Sequence, residues 1–396
     1  MQRRAAVGVL LGLALLGTGC GKRVAAAIPA GAVAAPNAAP GVRSKTTIVY
    51  VLSQGTMVRH EESAGKVWFS LTPALISAYA PNPATGALGM LADFPEPSGT
   101  EADVIVPDPL ERFAYVADMS SSVIHGYAVN ARNGRLREIA GSPFETIKQP
   151  SAMAFTPDGR HLYVASQARN AVGAYAVDPA TGELRPVPGS PFATSGKKIY
   201  GCCVAVTPDG RYALVADMDS VYSFRIDGKT GALRLMGTVA APPAAGGMVI
   251  DRSGAYAYVV GSGTNAILTY SIDARTGRLA LAAVSQMTCG DGAFTLVLTP
   301  DERFAYTVEG GDKVAEYRLE DGRFTGRWGR CLRGALGTLH LAVDPSGRFL
   351  FAPQAGKAKS LSVWAIDAET GLLHPAPGSP TPLPGEQPEG VMVVTQ

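Results

Sequence analysis

Charge is scarce in this chain. Only 17% of its 396 residues are charged, 35 basic against 33 acidic, for a formal net charge of +2. Disordered chains stay open through high charge and low hydrophobicity. With 46% hydrophobic residues, this one has ample material for a core. The near-neutral balance excludes nucleic-acid binding by bulk electrostatics, so a charged partner must be met by a local patch. Long apolar runs are missing too: the N-terminal run, Ala5 to Leu16, has twelve residues, too few for a membrane span. No Gly-x-Ser-x-Gly elbow, phosphate-cradling glycine loop, zinc-protease helix or haem-attachment motif occurs. Covalent and nucleotide chemistry therefore have no support, and no cofactor or metal is expected.

The short apolar run follows Arg3 and Arg4 and ends in Gly17-Thr18-Gly19-Cys20. A positive start, an apolar stretch and small residues before a cysteine read as an export signal. The ending resembles the bacterial lipobox, with Leu16 one place earlier than the pattern prefers. Residues 1–20 are thus expected to be a lipoprotein signal with Cys20 as the lipidated residue. Residues 21–45, rich in Ala, Pro and Gly, read as a flexible tether. The expected setting is an exported bacterial lipoprotein, on the periplasmic side of the outer membrane or the cell surface, with the membrane as a partner through Cys20. Gly21 in place of an Asp after the cysteine points to the outer membrane.

From residue 46 the chain repeats. Glycines closing a Thr-Gly-type turn fall at Gly86, Gly134, Gly182, Gly231, Gly277, Gly322 and Gly371, at intervals of 48, 48, 49, 46, 45 and 49 residues. A second turn recurs six times, as in Pro157-Asp158-Gly159-Arg160. Between the turns lie short β-branched and aromatic segments, such as His161 to Ala165 and Ala171 to Val177, and no helical periodicity. Four-stranded units at this period predict an all-β, seven-bladed β-propeller with four antiparallel strands per blade over residues 46–396. The first unit lacks its inner strand. Gln387-Pro388-Glu389-Gly390-Val391 parallels Gln149-Pro150-Ser151-Ala152-Met153, so the C-terminal strand is expected to join the first blade and close the ring.

Tyr115-Val116-Ala117-Asp118 and Tyr163-Val164-Ala165-Ser166 resemble the Tyr-Val-Thr-Asn repeat. With the turns at Asn82 to Gly86 and Asp178 to Gly182, and with Gly189-Ser190-Pro191-Phe192, they resemble the lactonase family of seven-bladed propellers, which includes 6-phosphogluconolactonase and fungal carboxymuconate cyclase. The resemblance covers roughly residues 46–396 and rests on turns. It implies His and Arg near the inner strands, polarising a lactone carbonyl or activating water. The inner-strand openings here contain no Arg-His pair; His340, in Thr338-Leu339-His340-Leu341, alone matches the residue type.

The turns have sufficient structural reasons, so function is sought on the opposite face, where loops between second and third strands vary. Those loops open with Ser53, Asp118, Ser166, Asp217, Gly261, Glu309 and Gln354. Asp118, Asp217 and Glu309 would ring one opening, where carboxylates do acid–base work or hold cations, or each would simply cap its own loop. The first such loop, Gln54 to Pro73, is long. It carries Arg59-His60-Glu61-Glu62 before Val67-Trp68-Phe69, and suits a lid with His60 toward a ligand, or a plain surface insertion. Arg323, Arg327, Arg330 and Arg333, with Lys197 and Lys198, form basic groupings, and Arg330 and Arg333 are expected near the opening as binders of carboxylate or phosphate. Cys289 and Cys331 fall in neighbouring crossovers and are expected to pair. Cys202-Cys203 remain as free thiols or a strained vicinal ring.

Two functions compete. A lipid-anchored scaffold or ligand-binding propeller, holding a small anionic ligand or a protein at its central opening, is favoured by the tether and the missing Arg-His pair. A lactonase acting on an anionic lactone would use His340 and Glu309 in catalysis and Asp118, Asp217, Arg330, Arg333 and His60 in binding. The second predicts that His340, Glu309 and Arg333 converge.

Overall fold

Each turn is built by side chains whose spacing the repeat preserves. In the Thr156–His161 turn the Thr156 hydroxyl donates to Asp158 Oδ1 at 2.6 Å and accepts from the His161 amide at 3.1 Å. In the Asp178–Gly182 turn Asp178 Oδ1 accepts from the Ala180 and Thr181 amides, and Gly182 takes φ +77°. Aspartate and glycine thus reverse the chain at fixed positions, and the intervening β-branched segments have only strands to form.

The computed structural model describes residues 46–61, 67–194, 203–290, 292–325, 330–355 and 357–395, with backbone alone at 57–61 and 67–69. Cys20, the proposed tether, Lys197, Lys198, Cys202 and Arg327 lie outside the described residues. Those described form seven small antiparallel sheets in a ring, a seven-bladed β-propeller, and contain no helix. The blades run inward to outward. Blade 2 is Ala102–Pro107, Phe113–Asp118, Val123–Val129 and Leu136–Glu138. Blade 3 begins at Pro150–Phe155, blade 4 at Cys203–Val206, blade 5 at Ala245–Ile250, blade 6 at Ala293–Leu298 and blade 7 at Ala342–Val343. Blade 1 takes its inner strand from the C-terminus: Pro388–Thr395 pairs antiparallel with Thr47–Ser53, Val49 opposite Val393. The expected closure is therefore present.

The core lies between blades. One buried cluster joins Tyr50 and Ile76 of blade 1 to Ile105 and Val116 of blade 2; another joins Phe349 and Val363 of blade 7 back to Val49 of blade 1. The outer strand breaks at Gly-Ser-Pro in blades 2, 3 and 7. There the serine hydroxyl takes the third-strand amide left over, as Ser142 does for Gly126 and Ser190 for Ala174. The long first loop is a hairpin, Met57–Glu61 with Val67–Leu71, and the backbone of His60 lies opposite Trp68.

Candidate active site

The carboxylates expected around the opening do not line it. Asp118 is fully buried and accepts from the Thr100 and Ser121 amides and from the Thr100 and Ser120 hydroxyls. Burial alone would raise its pKa, but the Ser121, Thr100 and Ser120 hydrogen bonds together bring it below the ordinary value. Asp217 accepts from the Asp219 and Ser220 amides and from the Tyr222 hydroxyl at 2.9 Å. Glu309 is buried beneath the blade 5–6 crossover, where the Thr288 and Cys289 amides and the hydroxyls of Thr307 and Tyr317 reach it. Each stitches its own loop, because a short loop leaves backbone N–H groups that a carboxylate satisfies.

The basic residues are likewise engaged. Arg333 is exposed and pairs with Asp312 at 2.7 Å; Arg330 donates to the Leu373 carbonyl and lies 3.9 Å from Glu316. Glu309 and Arg333 are thus each held by partners of their own. Cys289 and Cys331 do form a disulfide, Cα atoms 5.4 Å apart. Cys331 belongs to the outer edge of blade 6, opposite Ala315, rather than to a crossover.

What does line the mouth is set by a repeated irregularity. The inner strands of blades 1, 2, 3, 5 and 6 each slip register one residue from their loop-face end. The extra residues are Glu389, Asp103, Ser151, Gly246 and, in blade 6, Phe294 with Thr295. A β-bulge re-aims the residue it inserts. In blade 7 the inner strand is only Ala342–Val343, with Ala342 opposite Phe351 as Val106 is opposite Tyr115, and Leu339 and His340 lie just before it.

On the blade 1–2 side of this ring the Gln54 carboxamide Nε2 donates to Asp103 Oδ1 and to Glu389 Oε2, the latter at 2.9 Å. One amide thus holds two carboxyls from neighbouring inner strands. Burial pushes Asp103 up to about 7, against the Gln54 hydrogen bond, with the charges of Glu101 and Asp118 adding to the rise. Burial and the Asp103 and Glu101 charges push Glu389 up to about 8. The pair accordingly holds a proton near neutrality, which suits it to give one proton and take another. His340, only partly exposed in the inner layer of blade 7, is lowered to about 4 by desolvation and is neutral at the same pH.

Below this ring the axis opens into a cavity of about 570 Å³ lined by Ile105, Met248, Ile250, Leu298, Val343 and Val393, with Arg252 and Glu302 at its turn-face rim.

Gln54, Asp103 and Glu389 were not among the residues expected from sequence. The signal was present: Glu389 stands in the same column as Ser151, and Asp103 occupies it in blade 2. A carboxylate where sister blades carry Ser or Gly departs from the repeat without a turn to explain it.

A closed seven-bladed propeller with two carboxyls, one buried and one half-buried, joined by a carboxamide at its axial mouth is the class that fold and site define. The chain belongs to the lactonase, seven-bladed β-propeller family, whose model matches residues 75–199 and 202–386. Among solved structures it is similar to a candidate 6-phosphogluconolactonase from Bacteroides fragilis, at 17% identity over 90% of this chain and 100% of that one, TM-score 0.72. It is also similar to the periplasmic gluconolactonase PpgL of Pseudomonas aeruginosa, at 20% identity over 87% of this chain and 99% of that one, TM-score 0.70. Among curated proteins nothing matches the chain.

Proposed function

We propose that this protein hydrolyses an uncharged lactone at the axial mouth, with Asp103 and Glu389 as its acid–base pair. The family and its gluconolactonase relative favour this reading over the scaffold that the sequence alone favours. The observation that carries it is the single Gln54 carboxamide held between two carboxyls of raised pKa.

Asp103, the more acidic of the two, is the carboxylate that takes a proton from water as its oxygen adds to the lactone carbonyl carbon. Glu389, still protonated, gives its proton to the ring oxygen as the acyl C–O bond breaks. Water and lactone thereby become a hydroxy acid, and one proton transfer between the carboxyls resets the pair. His340, neutral and just before the blade 7 inner strand that neighbours the strand of Glu389, donates an N–H to the carbonyl oxygen. Glu101, Asp103 and Glu389 make this side of the mouth acidic, which opposes the anionic substrate expected from sequence. Attachment through Cys20 on the periplasmic side of the outer membrane or at the cell surface belongs to the same proposal. A Cys20→Ser chain would leave the membrane fraction.

The test is pH-stat titration of glucono-δ-lactone and δ-valerolactone opening by purified protein. Asp103→Asn and Glu389→Gln should each lose about 10²–10⁴-fold in kcat with the fold intact. Rates matching the uncatalysed reaction, or variants as active as wild type, would refute the acid–base pair.

A further inference from the structure

The mouth has two unlike halves. On the other flank of blade 1 from Asp103, the ends of blades 7 and 6 present large apolar side chains to solvent. Phe294, in the bulge of blade 6, is 45% exposed; Leu339, just before the inner strand of blade 7, is 36% exposed, and Leu336, in the crossover before it, 51%. Single exposed apolar residues need no explanation, but a group at one rim does. Blade 5 is shaped for it. A Cβ at Gly246 would stand 2.9 Å from the Phe294 Cα and 3.2 Å from its Cδ1, so the glycine leaves room for the phenylalanine to lie across the rim. The strand slip that delivers Asp103 and Glu389 in blades 2 and 1 recurs in blade 6 at Phe294.

We infer that Phe294, Leu336 and Leu339 form a shelf that selects lactones bearing a hydrocarbon substituent on the ring. This rests on the hydrolase reading above. A plain sugar lactone would cover the shelf with hydroxyl groups and leave them without partners there. An alkyl-substituted ring satisfies both halves: its ester faces the carboxyls while its chain covers the apolar side chains. Each methylene fully buried there raises affinity about fourfold. A five-carbon chain covered on one side should therefore gain at least about tenfold.

The experiment compares δ-valerolactone with δ-decalactone, the same ring with and without a pentyl chain. It pairs kcat/KM with calorimetric binding of 2-pentylcyclopentanone, which has no ester to cleave. Wild type should prefer the pentyl-bearing lactone by at least about tenfold and bind the ketone. In Phe294→Ala and, independently, Leu339→Ser, the ratio should fall toward one and ketone binding should weaken. Turnover without alkyl preference, or a preference that survives both substitutions, overturns the shelf and leaves the hydrolase standing. Ketone binding lost in Phe294→Ala without lactone turnover supports the shelf and overturns the hydrolase. Neither binding nor turnover overturns both, including the case where the rim seats a protein instead.

Discussion

Tyr163 donates its hydroxyl to the carbonyl of Gly231, 3.0 Å away and 68 residues further along the chain. The two residues come from the two signatures of the repeat, the second-strand tyrosine and the turn glycine, in consecutive blades. The same bond joins Tyr50 to Gly134, Tyr115 to Gly182 and Tyr306 to Gly371. A Cβ on Gly231 would meet His161 Cδ2 at 2.2 Å, and one on Gly182 would meet Phe113 at 2.7 Å. What repeats in the sequence is therefore the contact between blades as much as the turn within each.

Tyr163→Phe should lower unfolding stability by about 1–3 kcal/mol, because it leaves the Gly231 carbonyl buried and unpaired. Gly231→Ala should cost more, about 3 kcal/mol or above, since left-handed strain at φ +75° adds to the clash with His161. Urea melts of the two variants rank them. Equal losses would show that the glycine serves its turn alone.

The disulfide ties Cys289, where the chain enters blade 6, to Cys331 on that blade's outer edge, closing a loop of sequence separation 42. It also fixes the Cys289 amide that donates to buried Glu309 at 2.6 Å. The double variant Cys289→Ser/Cys331→Ser should lose about 2–4 kcal/mol. Hydrogen exchange should rise first at the Thr288 and Cys289 amides. Exchange rising uniformly over all blades would contradict a local brace.

Blade number, strand order, ring closure and the disulfide were legible because each rests on spacing or on residues of restricted conformation, as at Gly182 and Pro157. The site was not. Asp118, Asp217 and Glu309 stand out in the sequence as charges on variable loops, yet buried loop amides claim them. Asp103 and Glu389 sit one residue inside strands, and only the register slip at the mouth distinguishes them from core positions. A bulge has no composition of its own: Ser151, Gly246 and Phe294 share it with two carboxylates. His340 was legible by residue type, but its neutrality follows from desolvation that no sequence pattern encodes.

Stability should fall toward alkaline pH through the acid pair. Asp103 and Glu389 have folded pKa values raised above their unfolded ones by burial. The stability of their neutral forms is full below about pH 4, the unfolded range. It is lost as the pH rises through about 7 and then about 8. Asp118, held below its ordinary value, has the opposite sign and supports the fold above that range. Glu389→Gln should therefore lose less stability than wild type between pH 5 and pH 9 in chemical melts. Parallel curves for the two proteins would place the titration elsewhere.

Gln54 is the residue through which the two carboxyls communicate, so its substitution separates positioning from packing. Its hydrogen bond lowers the Asp103 pKa against burial. Gln54→Leu keeps the volume and removes both donors, so Asp103 should titrate at higher pH. Asp103 as the base must be ionised and Glu389 as the acid protonated, which makes the kcat/KM profile a narrow bell whose limbs belong to the coupled pair. In Gln54→Leu the acidic limb should move up in pH and the bell should shrink, with kcat down about 10–100-fold. Gln54→Asn, a shorter side chain that still donates, should recover the limb's position before it recovers the rate, because a single bond to Asp103 restores the pKa but not the alignment with Glu389. A Gln54→Leu profile that keeps its shape while its height falls would mean the carboxamide only packs, and that the carboxyls act without it.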